Sequence, residues 1–225
     1  MPEAAIGFGD LKGVYRDLVK SSIPKVTVQR LPVYLHCLEE FSDQEHVSSD
    51  ELAAVAGVNP AKVRKDLSFL GTLGVRGVGY DVVQLRFQIR LELGLEKESP
   101  VVIVGIGNLG KALANYAGFS ERGFNIVGLY DVDPAKIGSQ VDGLTIEPMA
   151  DLQQSARSKE AAIGVVTTPA AAAQETAEAL AAAGIRSILN FAPTVIKRPK
   201  GVDVRRVDLS TELQVLSFYL HRRSS

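Results

Sequence analysis

The spacing of apolar residues changes along this chain, and the changes divide it. From Thr27 to Phe41 they recur at helical intervals (Val28, Leu31, Leu35, Leu38), which predicts a first helix with Pro32 tolerated near its start. Ser48 followed by Glu51 is a capping-box signature ahead of Leu52, Val55 and Ala56, and Gly57 closes a short second helix. Asn59 and Pro60 then offer a cap and a first-turn proline to a third helix, "AKVRKDLSFL", ended by Gly71. Two short helices joined by "GVN" read as a helix-turn-helix. On the third helix Val63, Leu67 and Leu70 share one side, so Ala61, Lys65 and Ser68 turn outward with Arg64 on the flank. "TLGVRGVGYDV" interleaves β-branched residues with glycines, as a twisted hairpin with Arg76 at its tip would.

Residues 82–95, "VVQLRFQIRLELGL", have helical or mixed periodicity, and the polar break from Lys97 to Pro100 marks a domain boundary. Short strand-like runs, the central ones strongly apolar, then alternate with helical segments. They are "VVIVG" (101–105), a helix near 109–117, "NIVGLYD" (125–131), "AAIGVVTTP" (161–169), an alanine-rich helix over 170–183, "IRSILNF" (185–191) and "VDVRRVD" (202–208). That pattern predicts an α/β fold whose parallel sheet is covered on both faces. The last segment, "STELQVLSFYLHRR", has Ser210 or Thr211 as its cap and is apolar nearly all round, which predicts insertion into a partner subunit. The expected organisation is a weakly ordered tail over 1–22, a winged helix-turn-helix unit with its linker helix over 23–98, a Rossmann-like unit over 99–209 and a dimerisation helix over 210–225.

Composition narrows the class without naming a function. With 46% hydrophobic and 23% charged residues the chain is a folded protein, its single Cys37 allows no internal disulfide, and no apolar run could span a bilayer. A cytoplasmic protein without a membrane partner is expected, with Cys37 as a small buried apolar residue. The net charge of −1 conceals an uneven distribution: residues 60–90 carry six cations against Asp66 and Asp81, while residues 39–51 hold six acids and no Lys or Arg.

The chemistry concentrates after the boundary. "VVIVGIGNLGKALANY" sets Gly105, Gly107 and Gly110 in a G-x-G-x-x-G pattern after a strand and at the opening of a helix, which suits a tight turn and close approach to a pyrophosphate. The next strand ends at Asp131, placed to take adenosine ribose hydroxyls and to disfavour a 2′-phosphate, so NAD is expected over NADP. A CoA-binding or nucleotide-free α/β domain is the competing reading. The three histidines are His36, His46 and His221, and no Tyr is followed by Lys four places on, so the usual proton donors of a dehydrogenase are missing. An enzyme is therefore not expected, and neither catalytic residues nor a metal site are assigned. "NFAP" (190–193) should emerge at the carboxyl edge of the sheet, where Phe191 lines a nicotinamide pocket or packs in the core.

"RLPVYLHCLEE", "RKDLSFLGTLGVRGVGYDV", "VVIVGIGNLGKALANY", "YDVDPAKIG" and "ILNFAP" resemble, in order and spacing, the family of redox-sensing transcriptional repressors called Rex, over roughly residues 23–220. The resemblance implies a homodimer with an N-terminal winged helix, a C-terminal NAD(H)-binding Rossmann domain and a last helix exchanged between subunits. It implies repression of respiratory and fermentative genes, with pseudo-palindromic operator DNA bound when NADH is scarce and released when NADH accumulates. By position it places Lys62, Arg64, Lys65 and Ser68 on the recognition helix and Arg76 on the wing, all as DNA-binding candidates. The candidate NADH and NAD+ contacts are Gly105, Ile106, Gly107, Asn108, Leu109 and Gly110 in the loop, Asp131 at the adenosine ribose, Thr168 and Pro169, and Tyr116 and Phe191 near the nicotinamide end at the dimer interface. At one point the chain departs from the family: His36 stands where an Arg able to pair with an acid is common, and Asn190 stands in place of that acid.

Overall fold

The computed structural model describes residues 23–71 and 74–223, so the expected tail over 1–22 lies outside the described residues. They form two compact units that divide between Glu96 and Lys97.

The first unit contains helix α1 (Lys25–Cys37), strand β1 (His46–Val47), helices α2 (Ser49–Ala56) and α3 (Pro60–Ser68), strands β2 (Gly74–Val75) and β3 (Gly79–Asp81), and helix α4 (Val82–Glu92). Helix α1 is shorter than its apolar pattern suggests. After Cys37 the chain continues in single turns, with the N–H of Phe41 donating to the carbonyl of Leu38, while Leu38 and Phe41 stay buried. Its inward stripe is also displaced from the expected one: Thr27, Leu31, Tyr34 and Leu38 are buried, whereas Val28 is 40% exposed. Hydroxyl-bearing residues thus occupy core positions that a count of apolar side chains passes over.

Both bonds of the capping box at Ser48 and Glu51 are present, and Gly57 ends α2 in the left-handed region at φ 65°. Asn59 caps α3 by accepting from the N–H of Ala61, with Pro60 at the first helical position. Val63, Leu67 and Leu70 are buried with Leu31, Tyr34, Leu52, Leu85 and Ile89 in one core. The hairpin of β2 and β3 pairs antiparallel, and β1, too short to show an alternation in sequence, adds to β3 as a third strand. Asp81 caps α4 by accepting from the N–H of Gln84, which resolves the mixed periodicity of residues 82–95 as a helix.

The second unit is built on β4 (Ser99–Val104), β5 (Phe124–Asp131), β6 (Gln140–Val141), β7 (Leu144–Pro148), β8 (Ile163–Val166), β9 (Ser187–Asn190) and β10 (Asp203–Arg206). These form one sheet of order β10-β9-β8-β4-β5-β7-β6, parallel except for β6. The predicted strands lie in it: β8, β9 and β10 are shorter than expected, whereas β4 begins two residues and β5 one residue earlier. Strands β6 and β7 are additions, since "LTIEP" is half polar and lacks the apolar run of a central strand.

Helices α5 (Asn108–Ala114), α6 (Leu152–Ser158) and α7 (Ala173–Ala182) complete the layers. The first stops three residues before the expected end at 117, and the second had no signal in the pattern. The terminal helix α8 (Leu209–Arg223) is capped by Asp208 and not by Ser210 or Thr211: the Asp208 carboxylate accepts from the N–H and the hydroxyl of Ser210. Leu213, Leu216, Phe218, Tyr219 and Leu220 are each more than half exposed in the single chain. No described helix is long and apolar enough to cross a membrane.

Candidate functional site

The outer face of α3 carries Ala61, Lys62, Lys65 and Ser68, all exposed. Arg64 on the flank is held: its Nη1 donates to Ser49 Oγ at 2.7 Å and lies 3.9 Å from Asp50 Oδ2. A concave surface of about 480 Å³ lies between this flank and the hairpin over residues 74–80, with Arg76 in the exposed turn at the hairpin tip. The wing hugs β1 so closely that a Cβ on Gly79, already at φ 108°, would stand 2.5 Å from the carbonyl oxygen of Val47. Helix, wing and four cations therefore face solvent together, the arrangement that a duplex groove and its phosphates require.

One residue of this unit escaped the sequence reading. Asp66, counted there only as an acid among cations, is 1% exposed. Its Oδ1 accepts from Thr27 Oγ1 at 2.8 Å and Arg30 Nη2 at 2.7 Å, and its Oδ2 from Arg30 Nε at 2.6 Å and Tyr34 OH at 2.7 Å. Burial by itself would raise the carboxyl pKa, but the hydrogen bonds from Arg30, Tyr34 and Thr27 outweigh it and hold the group below its ordinary value. Tyr34 is pushed up to about 12, first by burial and then by its bond to the Asp66 carboxylate. A signal was available, because Asp66 follows Val63 by three places and so falls on the inward side of α3.

In the second unit a cleft of about 650 Å³ opens at the carboxyl ends of the central strands. Gly105, Gly107, Leu109, Asp131, Thr168, Pro169 and Phe191 line it, all of them predicted. The three glycines answer to different constraints. Gly105 has φ 95°, and a Cβ there would meet the Thr167 backbone at 2.9 Å; a Cβ on Gly110 would stand 2.2 Å from the carbonyl oxygen of Gly105. Gly107 faces open space, so nothing among the described residues demands its missing side chain. Thr167 donates through its hydroxyl to the carbonyl of Gly105 at 2.7 Å. The Oγ1 of Thr168 is buried without a hydrogen-bond partner among the described residues, an orphaned polar atom at the cleft wall.

Asp131 is 5% exposed and turns its carboxylate onto the loop. Its Oδ2 accepts from the N–H of Ile106 at 2.7 Å and from Lys136 Nζ at 3.0 Å, and its Oδ1 from the N–H of Asp133 at 2.9 Å. Burial works to raise its pKa, yet the Asp133 N–H, Lys136 and the Ile106 N–H hold it below the ordinary value. The bond to Asp131 in turn raises the pKa of Lys136. Oδ1 retains acceptor capacity for a ligand hydroxyl. Lys136, which also lines the cleft, is a cation that the sequence reading missed.

The remaining candidates stand apart from this cleft. Ile106 is buried behind the loop, and Asn108 opens α5. Tyr116 is 54% exposed beside a separate apolar hollow of about 260 Å³, its ring edge-on to Phe119. Asn190 is 1% exposed and spends its amide on its own turn, donating to the Thr194 carbonyl and accepting from the Ala192 N–H. His36 lies exposed, 3.2 Å from Glu39.

Residues 22–68 match the family model described as putative DNA-binding protein N-terminus, and residues 96–194 match the CoA binding domain model. The redox-sensing transcriptional repressor Rex of Streptomyces coelicolor is 55% identical over 204 residues, 90% of this chain and 79% of that protein. Its namesake in Syntrophomonas wolfei is 47% identical over 88% of this chain and 95% of that one. Among solved structures, the Rex-family repressor RSP in complex with β-NAD+ and operator DNA aligns with TM-score 0.83 at 34% identity, covering 91% of this chain and 95% of that one. RSP in complex with β-NADH aligns with TM-score 0.81 at 33% identity over 91% and 97%. With identity at this level across nine-tenths of its length, the chain belongs to the Rex family of redox-sensing transcriptional repressors.

Proposed function

We propose that this protein represses transcription in response to the NADH to NAD+ ratio, as a cytoplasmic homodimer that holds pseudo-palindromic operator DNA when NADH is scarce and releases it when NADH binds. The observation that carries this reading is the presence in one chain of two ligand faces of different chemistry. One is the cationic α3 with its wing; the other is a glycine loop whose Gly107 opens onto a cleft beside the orphaned Thr168 hydroxyl.

Lys65 and Ser68 meet base edges in the major groove, Lys62 and Arg64 meet phosphates or base edges beside them, and Arg76 enters the adjacent minor groove. The dinucleotide supplies a redox-dependent ring and undergoes no net chemistry. Gly105, Gly107 and Gly110 with Ile106, Asn108 and Leu109 form its pyrophosphate loop. Asp131 meets the adenosine ribose through Oδ1, and Thr168 and Pro169 form the facing wall. Phe191 and, from the dimer interface, Tyr116 approach the nicotinamide end. The exposed apolar face of α8 is covered by exchange with a second copy, since a lone chain would leave seven large hydrophobic side chains exposed.

Lys65→Ala and Arg76→Ala weaken operator binding, measured by fluorescence anisotropy, while NADH affinity without DNA stays unchanged. Substrate-dependent consumption of NADH would instead favour an oxidoreductase with an N-terminal interaction module, and equal loss of both activities in the variants would overturn the residue assignments.

A further inference from the structure

The Asp66 network lies on the inner face of α3, directly between Lys65 and Leu67, and every donor it uses comes from α1. Thr27, Arg30 and Tyr34 are spaced three and four residues apart, so they form one stripe along α1. The apolar contacts of Val63, Leu67 and Leu70 already bury α3, but such contacts are non-directional and tolerate small rotations of a helix about its axis. Four hydrogen bonds to one carboxylate, two of them from the planar fork of Arg30, do not. A rotation of α3 large enough to redirect Lys65 would break them.

We infer that Asp66 is a positioning residue for operator recognition: its bonds to Thr27, Arg30 and Tyr34 fix the roll of α3 and hence the direction in which Lys65 and Ser68 point. The inference rests on the reading of α3 as the recognition helix. Contacts to base edges depend on placement within about 0.5 Å, whereas sequence-independent attraction to phosphates depends mainly on charge. The network therefore bears on discrimination between operator and other DNA, and much less on attraction to DNA in general.

Charge makes the test decisive. Asp66→Asn removes a negative charge from the DNA-facing helix, so an effect through charge alone strengthens binding to every duplex. A positioning effect weakens operator binding while leaving non-operator binding equal or stronger. Arg30→Lys keeps the charge and removes the fork, and Thr27→Val and Tyr34→Phe each remove one donor while keeping the Arg30 pair.

The full-length protein and these variants are titrated against labelled operator and scrambled duplexes of equal length, at a temperature where circular dichroism shows each to be folded. The expected result is a loss of operator affinity of roughly tenfold for Asp66→Asn and Arg30→Lys, the size of one lost base contact, with a smaller loss for the single-donor variants. Scrambled-duplex affinity does not fall, and NADH affinity without DNA is unchanged. An unchanged ratio of operator to scrambled affinity in the folded variants would overturn the inference. Lys65→Ala separates the two readings: if it too leaves that ratio unchanged, the assignment of α3 fails, whereas if it lowers the ratio and Asp66→Asn does not, only the positioning role fails.

Discussion

Asp66 and Asp131 are both nearly sealed from solvent, yet they are gripped from different directions. The donors to Asp66 are all side chains, on a helix 32 to 39 residues earlier in the sequence. Those to Asp131 are two backbone N–H groups and the nearby Lys136. Side-chain donors on a second helix fix how two rigid bodies are oriented; backbone donors fix the course of a loop. The first carboxylate therefore acts on a face that must be aimed, and the second on a loop that must be shaped.

The contrast is sharpened most by filling the loop. Gly110→Ala places a Cβ 2.2 Å from the carbonyl oxygen of Gly105, so the loop must move. NADH affinity falls by at least about 100-fold, the scale on which a misplaced binding group is felt. Operator binding without NADH persists, as isothermal titration and anisotropy would show.

Removing the acceptor beneath the loop has a smaller effect. Asp131→Ala leaves the N–H groups of Ile106 and Asp133 and the Lys136 ammonium without their carboxylate. It destabilises the second unit by about 2–3 kcal/mol, the cost of buried donors left unpaired. Urea denaturation would report this, and a fall of NADH affinity in step with it is expected.

The Asp66 cluster responds to pH on both sides. Its carboxyl is held below the ordinary value of 3.8, so its contribution is complete above that value and fades as pH falls through the lower, folded-state value. Tyr34, raised from 10.0 to about 12, contributes fully below pH 10 and loses its contribution as pH rises toward 12. Thermal unfolding across pH is expected to lose its acid arm in Asp66→Asn and its alkaline arm in Tyr34→Phe, the latter worth on the order of 2–3 kcal/mol. The smallest effect belongs to a local device: Ser48→Ala removes the capping box of α2 and costs about 1 kcal/mol with no change in NADH affinity.

These differences also explain what was legible in the sequence. Ser48 with Glu51, Asn59 with Pro60, Gly57, and the glycines ahead of α5 act within a few residues of themselves, so their spacing alone disclosed them. The Asp66 network did not show because its partners are distant in sequence and two of them, Thr27 and Tyr34, carry hydroxyls that a hydrophobic count discards. Strands β6 and β7 sit toward one edge of the sheet, where burial on both faces no longer imposes an apolar run. The inward face of Asp131 was hidden for another reason: its place at the end of β5 was readable, but which of its surroundings it binds depends on a loop 25 residues away.

The central claim is that NADH in the cleft and operator DNA on the α3 face weaken one another's binding. A titration of labelled pseudo-palindromic operator, repeated at saturating NADH, measures this directly, together with the reciprocal titration of NADH onto free and operator-bound protein. Operator affinity should fall by roughly 5- to 150-fold with NADH, and NADH affinity should fall by the same factor with operator, as linkage demands. Tight binding of NADH that leaves operator affinity unchanged would contradict it.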